Sequence, residues 1–126
     1  MDRALSGHPE TLKVSVPKLP AGWPNGVSST FTAWAGAWGV SFSANITSDQ
    51  NTGLGVWTED MFIKAMREGK HMGTGRPILP PMPWPYVAKR TDDDLKAMFA
   101  YLKTVKPITN HVPDPIAPPE APPTTK

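Results

Sequence analysis

The chain has 126 residues, 39% of them hydrophobic and 19% charged, and a net charge of +2. That describes one small globular domain, and a core of that size ordinarily leans on a disulfide, a metal or a cofactor. The absence of cysteine excludes disulfides, zinc–thiolate sites, iron–sulfur clusters and any prosthetic group attached through thioether bonds. So small a net charge gives no reason to expect a nucleic-acid partner, though it suits mild attraction to an acidic protein face. No apolar run reaches the roughly 18 residues of a membrane span, and no signal-type apolar segment follows Met1.

Residues 1–30 carry Gly7, Pro9, Pro17, Pro20, Gly22, Pro24 and Gly26 among scattered apolar positions, a pattern that predicts an extended arm. Val14, Val16 and Leu19 suggest a short strand-like pairing, Trp23 an anchor on the domain, and His8 an exposed loop histidine. Phe31, Trp34, Trp38, Phe42 and Trp57 then stand among small residues such as Ala33, Ala35 and Gly39. Flat side chains beside small ones fit either an aromatic mini-core or a backbone lying close against something broad. The Asn45-Ile46-Thr47 sequon stands without other signs of a secreted eukaryotic protein. Asp49, Asn51 and Gly53 resemble the start of a calcium loop, but Leu54 occupies the position where that loop requires glycine.

The first helix is predicted from Thr58, an N-cap followed by Glu59 and Asp60 in the dipole-favoured first turn, to a stop at Gly69. Phe62, Ile63 and Met66 share its buried face, while Lys64, Arg67 and Lys70 face water. A second helix starts at Thr91, with three aspartates behind the cap. Its stripe is Leu95, Met98, Phe99 and Leu102, with Tyr101 at the margin and Pro107 as the end. From Pro113 to Lys126 six of fourteen residues are proline, which predicts a disordered or polyproline tail.

Between the helices runs Gly75-Arg76-Pro77-Ile78-Leu79-Pro80-Pro81-Met82-Pro83-Trp84-Pro85, in which five of eleven residues are proline. Each ring fixes φ near about −65° and disfavours the helical region for the residue before it, so an extended, stiff loop is expected. Met82, flanked by proline on both sides, is either a plug pressed into a core or a soft donor presented to a metal. His71 reads as a solvated turn residue, and Arg76 as a surface cation or the partner of an acidic group held against the loop. No nucleophile, base and orienting group converge to suggest hydrolytic or transferase chemistry.

The run Trp38-Gly39-Val40-Ser41-Phe42-Ser43-Ala44-Asn45-Ile46-Thr47, the segment Thr52-Gly53-Leu54-Gly55-Val56-Trp57-Thr58, the stretch Gly75 to Trp84, and Asp93-Leu95 through Ala100-Tyr101-Leu102 together resemble bacterial class I-type cytochrome c proteins. The resemblance covers nearly all of residues 31–113, the part of that domain following its haem-attachment helix, and Arg3 to Pro9 looks like the segment these proteins carry after that helix. It implies a mainly α, cytochrome c-like helical domain with long irregular loops that lacks its N-terminal haem-attachment helix. The expected division is an arm at 1–30, a partial domain at 31–107 and a proline-rich tail at 108–126. By motif, Met82 falls on the axial haem iron ligand, with Leu79, Pro80 and Trp84 walling the pocket. Trp38 and Trp57 would be further contacts, and Arg76 would answer an acidic group.

The family attaches haem through Cys-x-x-Cys-His, which this cysteine-free chain lacks. Three expectations follow: a portion of an electron-transfer cytochrome whose Met1 stands at an internal position, a haem-less binding or structural module, or non-covalent haem binding with His8, His71 or His111 as substitute ligand. The first implies a one-electron carrier rather than a catalyst, a dehydrogenase or oxidase subunit as redox partner, and a periplasmic setting. Any membrane association would come through that partner.

Overall fold

A computed structural model describes residues 3–118. The aromatic and small-residue region builds a three-stranded antiparallel sheet, β1 (Gly26–Val27), β2 (Ala33–Gly36) and β3 (Gly39–Phe42), in the order β1-β2-β3. Its β2–β3 register pairs Ala33 with Phe42, Trp34 with Ser41 and Gly36 with Gly39. Side chains alternate across a strand, so Ala33 and Ala35 turn inward while Trp34 lies half-exposed on the other face. Two residues, Ala37 and Trp38, make the turn, closed by Gly39 at φ 98°, a conformation costly for any residue with a Cβ. Ala33, Ala35 and Val40 form a small core under Val14 and Val16 of the arm, with Phe42 and Ile116 beside them.

Helices begin only after this sheet: α1 (Glu59–Glu68), the single turn α2 (Trp84–Val87) and α3 (Asp92–Leu102), with a 3-10 turn at His71–Gly73. Thr58 caps α1 by accepting the Met61 N–H at 3.1 Å, and the Met61 sulfur accepts the Thr58 N–H in return. Gly69 ends α1 at φ 68°, and a Cβ there would collide with the Trp84 ring, so both backbone and packing demand glycine. The Thr91 hydroxyl accepts the Asp94 N–H at the start of α3. Phe62, Ala65 and Met66 of α1 pack on Leu95 and Phe99 of α3, with Trp57, Ile78 and Val87 around them. Arg67 ties α2 to α3 by donating to the carbonyls of Ala88 and Arg90 and pairing with Asp92 at 2.5 Å.

Several expectations change here. Helix accounts for 24% of the structure, so the domain is not mainly α, because the aromatic segment pairs as a sheet instead of packing as an irregular mini-core. His8 is fully buried rather than exposed: Nε2 donates to the Leu12 carbonyl at 2.8 Å, Nδ1 pairs with the Thr32 hydroxyl at 2.8 Å, and the ring lies against Phe42. Trp23, expected as an anchor, is 64% exposed, and Met98 is 40% exposed, since α3 meets the helical core through buried Leu95 and Phe99 with Leu102 partly buried beside them. The extended Gly75–Pro85 loop turns helical at Trp84, where Pro85 sits in the first turn without needing an N–H. Ile116, expected in a disordered tail, exchanges two backbone hydrogen bonds with Val40 at 2.8 and 2.9 Å. The tail beyond 118 lies outside the described residues.

Polar side chains join the distant parts. The fully buried Asn110 amide donates to the carbonyls of Ser6 and His8 at 2.8 Å each and accepts the Glu10 N–H at 2.9 Å. Asn45 Nδ2 meets the carbonyls of Ile108 and Asn110 and the Thr52 hydroxyl, while its Oδ1 accepts from Thr47. Asn45 is 5% exposed with its amide committed, leaving a glycan no access. Every buried side-chain nitrogen and oxygen among the described residues has a partner.

Asn110→Ala strands two carbonyls and one N–H in the interior, and should lower the unfolding free energy in urea by about 2–4 kcal/mol. A loss under about 0.5 kcal/mol would show that the arm is not held through this amide.

His71 sets its ring edge-on to Trp57, with centroids 5.5 Å apart, and partial burial together with the Arg76 charge lowers its pKa below the usual 6.5. The unfolded chain then binds the proton more readily, so stability should rise with pH through the region around and below about 6.5. His71→Gln should flatten that part of the urea-midpoint profile; an unchanged slope would remove His71 as its source.

Candidate functional site

The loop carrying Met82 is pinned at its base. Lys70 bridges to Pro77, the His71 N–H donates to the Arg76 carbonyl at 2.9 Å, and the Ile78 N–H donates to the Gly69 carbonyl at 2.7 Å. These bonds continue the end of α1 into a short hairpin and leave residues 79–83 as its projecting tip. Prolines 80, 81 and 83 have no N–H to donate, so Met82 is the sole backbone donor from 80 to 83, and it reaches back to the Leu79 carbonyl at 3.3 Å. The Pro80–Pro81 peptide is cis.

A side chain from the sheet completes the tip. Ser41 on β3, 8% exposed, donates its hydroxyl to the Pro80 carbonyl at 2.5 Å and accepts the Trp38 indole N–H at 3.1 Å. Met82 itself remains 42% exposed. The tip is thus stiff and apolar with Met82 open to solvent, and half-buried Leu79 and Trp84 flank it in sequence.

Not all of the residues singled out by sequence join this group. Pro80 and Trp38 are linked to it through Ser41, and Trp84 is packed over Gly69 at the loop's base. Trp57 instead packs in the helical core and against His71. Arg76 is exposed, its guanidinium donating to the neighbouring Pro77 carbonyl at 3.2 Å. Ser41 was not singled out by sequence: one serine in a strand carries no pattern, and only its placement three residues after Trp38 hints at the indole bond.

The donor set can be weighed against a haem iron. Met82 offers a soft thioether on a proline-stiffened loop, a donor type that suits a haem iron. An opposite ligand is not brought to it: both ring nitrogens of His8 are engaged with Thr32 and Leu12, and His71 is set against Trp57. His111 is exposed, and among the described residues no three His, Cys, Asp or Glu side chains gather as a metal site. By donor chemistry, the match to a haem iron among the described residues thus rests on the Met82 thioether. A separate cleft of about 240 Å3, lined by Val14, Leu19, Val27, Trp34 and Val40 among others, includes no residue of the Met82 loop. Among the described residues no helix is long and apolar enough to cross a membrane.

No family model matches the chain. It is 40% identical over 79 residues to the cytochrome c subunit of alcohol dehydrogenase (quinone) from Gluconobacter oxydans, a match covering 60% of this chain and 16% of that protein. It is 43% identical over 63 residues to the gluconate 2-dehydrogenase cytochrome c subunit of Pantoea cypripedii, covering 50% of this chain and 14% of the relative. The fructose dehydrogenase cytochrome subunit of Gluconobacter japonicus is 38% identical over 71 residues, covering 56% and 14%. The chain spans 16% or less of the length of each of these relatives, and over half or more of its own length it is related to cytochrome c subunits of dehydrogenases.

Proposed function

We propose that this polypeptide forms the methionine-bearing part of an electron-transfer cytochrome c-type domain, acting in the periplasm as a one-electron carrier for a dehydrogenase or oxidase. The observation that carries the reading is Met82: a methionine 42% exposed on a tip that prolines and a sheet hydroxyl hold stiff. Similarity to cytochrome subunits of dehydrogenases supports the assignment. Haem, when bound, supplies a reversible one-electron iron couple whose potential rises with thioether ligation in an apolar surrounding.

The chain's own part is to present and to shield. Met82 would ligate the iron, Leu79, Pro80 and Trp84 would keep water from it, and Trp38 would back the tip through Ser41. Trp57 and Arg76 stand further out, the one as a wall through His71 and the other as a fixed cation able to meet an acidic group. Thioether attachment needs cysteine thiols, so the attaching Cys-x-x-Cys-His would come from outside this sequence. A haem-less module is the second reading, favoured by the finding that no three His, Cys, Asp or Glu side chains gather as a metal site among the described residues.

A haem peptide that brings its own Cys-x-x-Cys-His and histidine ligand supplies the missing half and tests the first reading. Titrated into this chain, it should develop the weak near-infrared charge-transfer band of methionine ligation. Met82→Ala should abolish the band and weaken binding by about tenfold or more. Met72→Ala should do neither, since Met72 lies in the 3-10 turn at φ 54° rather than on the tip. A band that survives Met82→Ala and vanishes in Met72→Ala would leave the proline-rich loop as a wall only; no band with any variant would favour the haem-less module.

A further inference from the structure

We infer that Ser41 is the positioning residue of Met82: its hydroxyl, oriented by the Trp38 indole and bonded to the Pro80 carbonyl, fixes where the thioether is presented, an inference that rests on the ligand reading of Met82.

The tip is poor in backbone donors. A turn normally cross-links itself and its neighbours through backbone N–H groups. Residues 80, 81 and 83 have none, and the Met82 N–H stays local, reaching only Leu79. Among the described residues, the hydrogen bond joining residues 79–82 to another element of the fold is Ser41 Oγ to Pro80 O, at 2.5 Å. Its acceptor lies two residues from Met82.

The donor is itself held from several sides. Ser41 sits opposite Trp34 in the β2–β3 ladder and is 8% exposed, so its side chain has little room to choose another partner. Its single hydroxyl proton has two acceptors in reach, the Trp34 carbonyl at 3.5 Å and the Pro80 carbonyl at 2.5 Å, and the shorter contact takes it. The Trp38 indole, a donor only, fills a lone pair of the same oxygen at 3.1 Å. Trp38 belongs to the turn between β2 and β3, so the hairpin's turn and strand act together on the tip.

Prolines restrict each φ but leave the tip free to rotate as a body about its base. One hydrogen bond at Pro80 removes that freedom. Its loss should therefore act on the orientation of residues 79–83 while the sheet, whose ladder bonds do not involve the Ser41 side chain, stays intact.

The test compares Ser41→Ala, which deletes the donor, with Ser41→Thr, which keeps a hydroxyl on a strand-compatible side chain. Amide relaxation of Met82 reads the tip directly, because it is the one N–H between residues 80 and 83. In the native chain its order parameter should be near about 0.85, falling below about 0.6 in Ser41→Ala and recovering in Ser41→Thr. Amides of Trp34 and Val40 should keep their native values in both. Affinity for the haem peptide should fall about fivefold to tenfold in Ser41→Ala and by less than about twofold in Ser41→Thr.

Unchanged Met82 order in Ser41→Ala would overturn the inference, and so would loosening spread equally over β2 and β3, which would make Ser41 a sheet residue and nothing more. Loosening confined to the tip, in a chain whose native form shows no Met82-dependent haem-peptide band, would uphold Ser41 as the tip's anchor and overturn the electron-carrier reading instead.

Discussion

The buried carboxamide of Asn110 is the interaction on which the rest of the architecture depends. It lies about a hundred residues along the chain from the arm it holds, donating to Ser6 and His8 and accepting from Glu10. Closing so long a loop costs entropy that local contacts cannot offset. The return comes from taking several backbone groups out of water with partners already in place. Asn45 repeats the device one layer away, its amide reaching Ile108 and the Asn110 carbonyl while Thr47 and Thr52 satisfy what remains. Two apolar cores this small, one of Ala33, Ala35 and Val40 and the other centred on Phe62 and Leu95, would be weakly joined without that polar seam.

What was legible in the sequence was local. Thr58 and Gly69 bound α1 because a cap and a left-handed stop act on their own few residues, and Thr91 does the same for α3. The stiffness of the Gly75–Pro85 loop was equally legible, since it is a property of proline rings. Burial was not. His8 looks like a surface histidine between Gly7 and Pro9, yet Thr32 and Leu12 bracket its ring once the arm folds back, and no local signal announces a partner twenty-four residues away. Met98 fits the apolar stripe of α3 by spacing, and the stripe is simply wider than the face α1 covers.

The sheet was hidden for a different reason. Ala33-Trp34-Ala35-Gly36 alternates small with large instead of polar with apolar, so its period of two does not register as hydrophobic patterning. Alanine and glycine lack strand propensity of their own, and what makes this segment a strand is tertiary: Val14, Val16 and Ile116 cover the small side chains on one face. The same small residues make the site possible. A bulkier β2 would hold the covering segments away, whereas Gly36 admits the Trp38 ring so closely that any Cβ would strike it. That ring position is what aims the indole N–H at Ser41.

The sheet and the helical part thus both hold the Met82 loop, each by a different kind of contact. Helix α1 and its continuation set the base of the loop through backbone bonds at Gly69, Lys70 and His71. The sheet contributes one hydroxyl, which fixes rotation but supports no weight. An iron–thioether bond is weak, and a ligand that had to be ordered at about 1–2 kcal/mol per residue on each encounter would release readily. Prolines lower that cost by restricting the unbound tip, and Ser41 lowers it further by selecting one orientation among those the prolines permit. A tip already held in one conformation has less ordering left to lose when it meets a ligand.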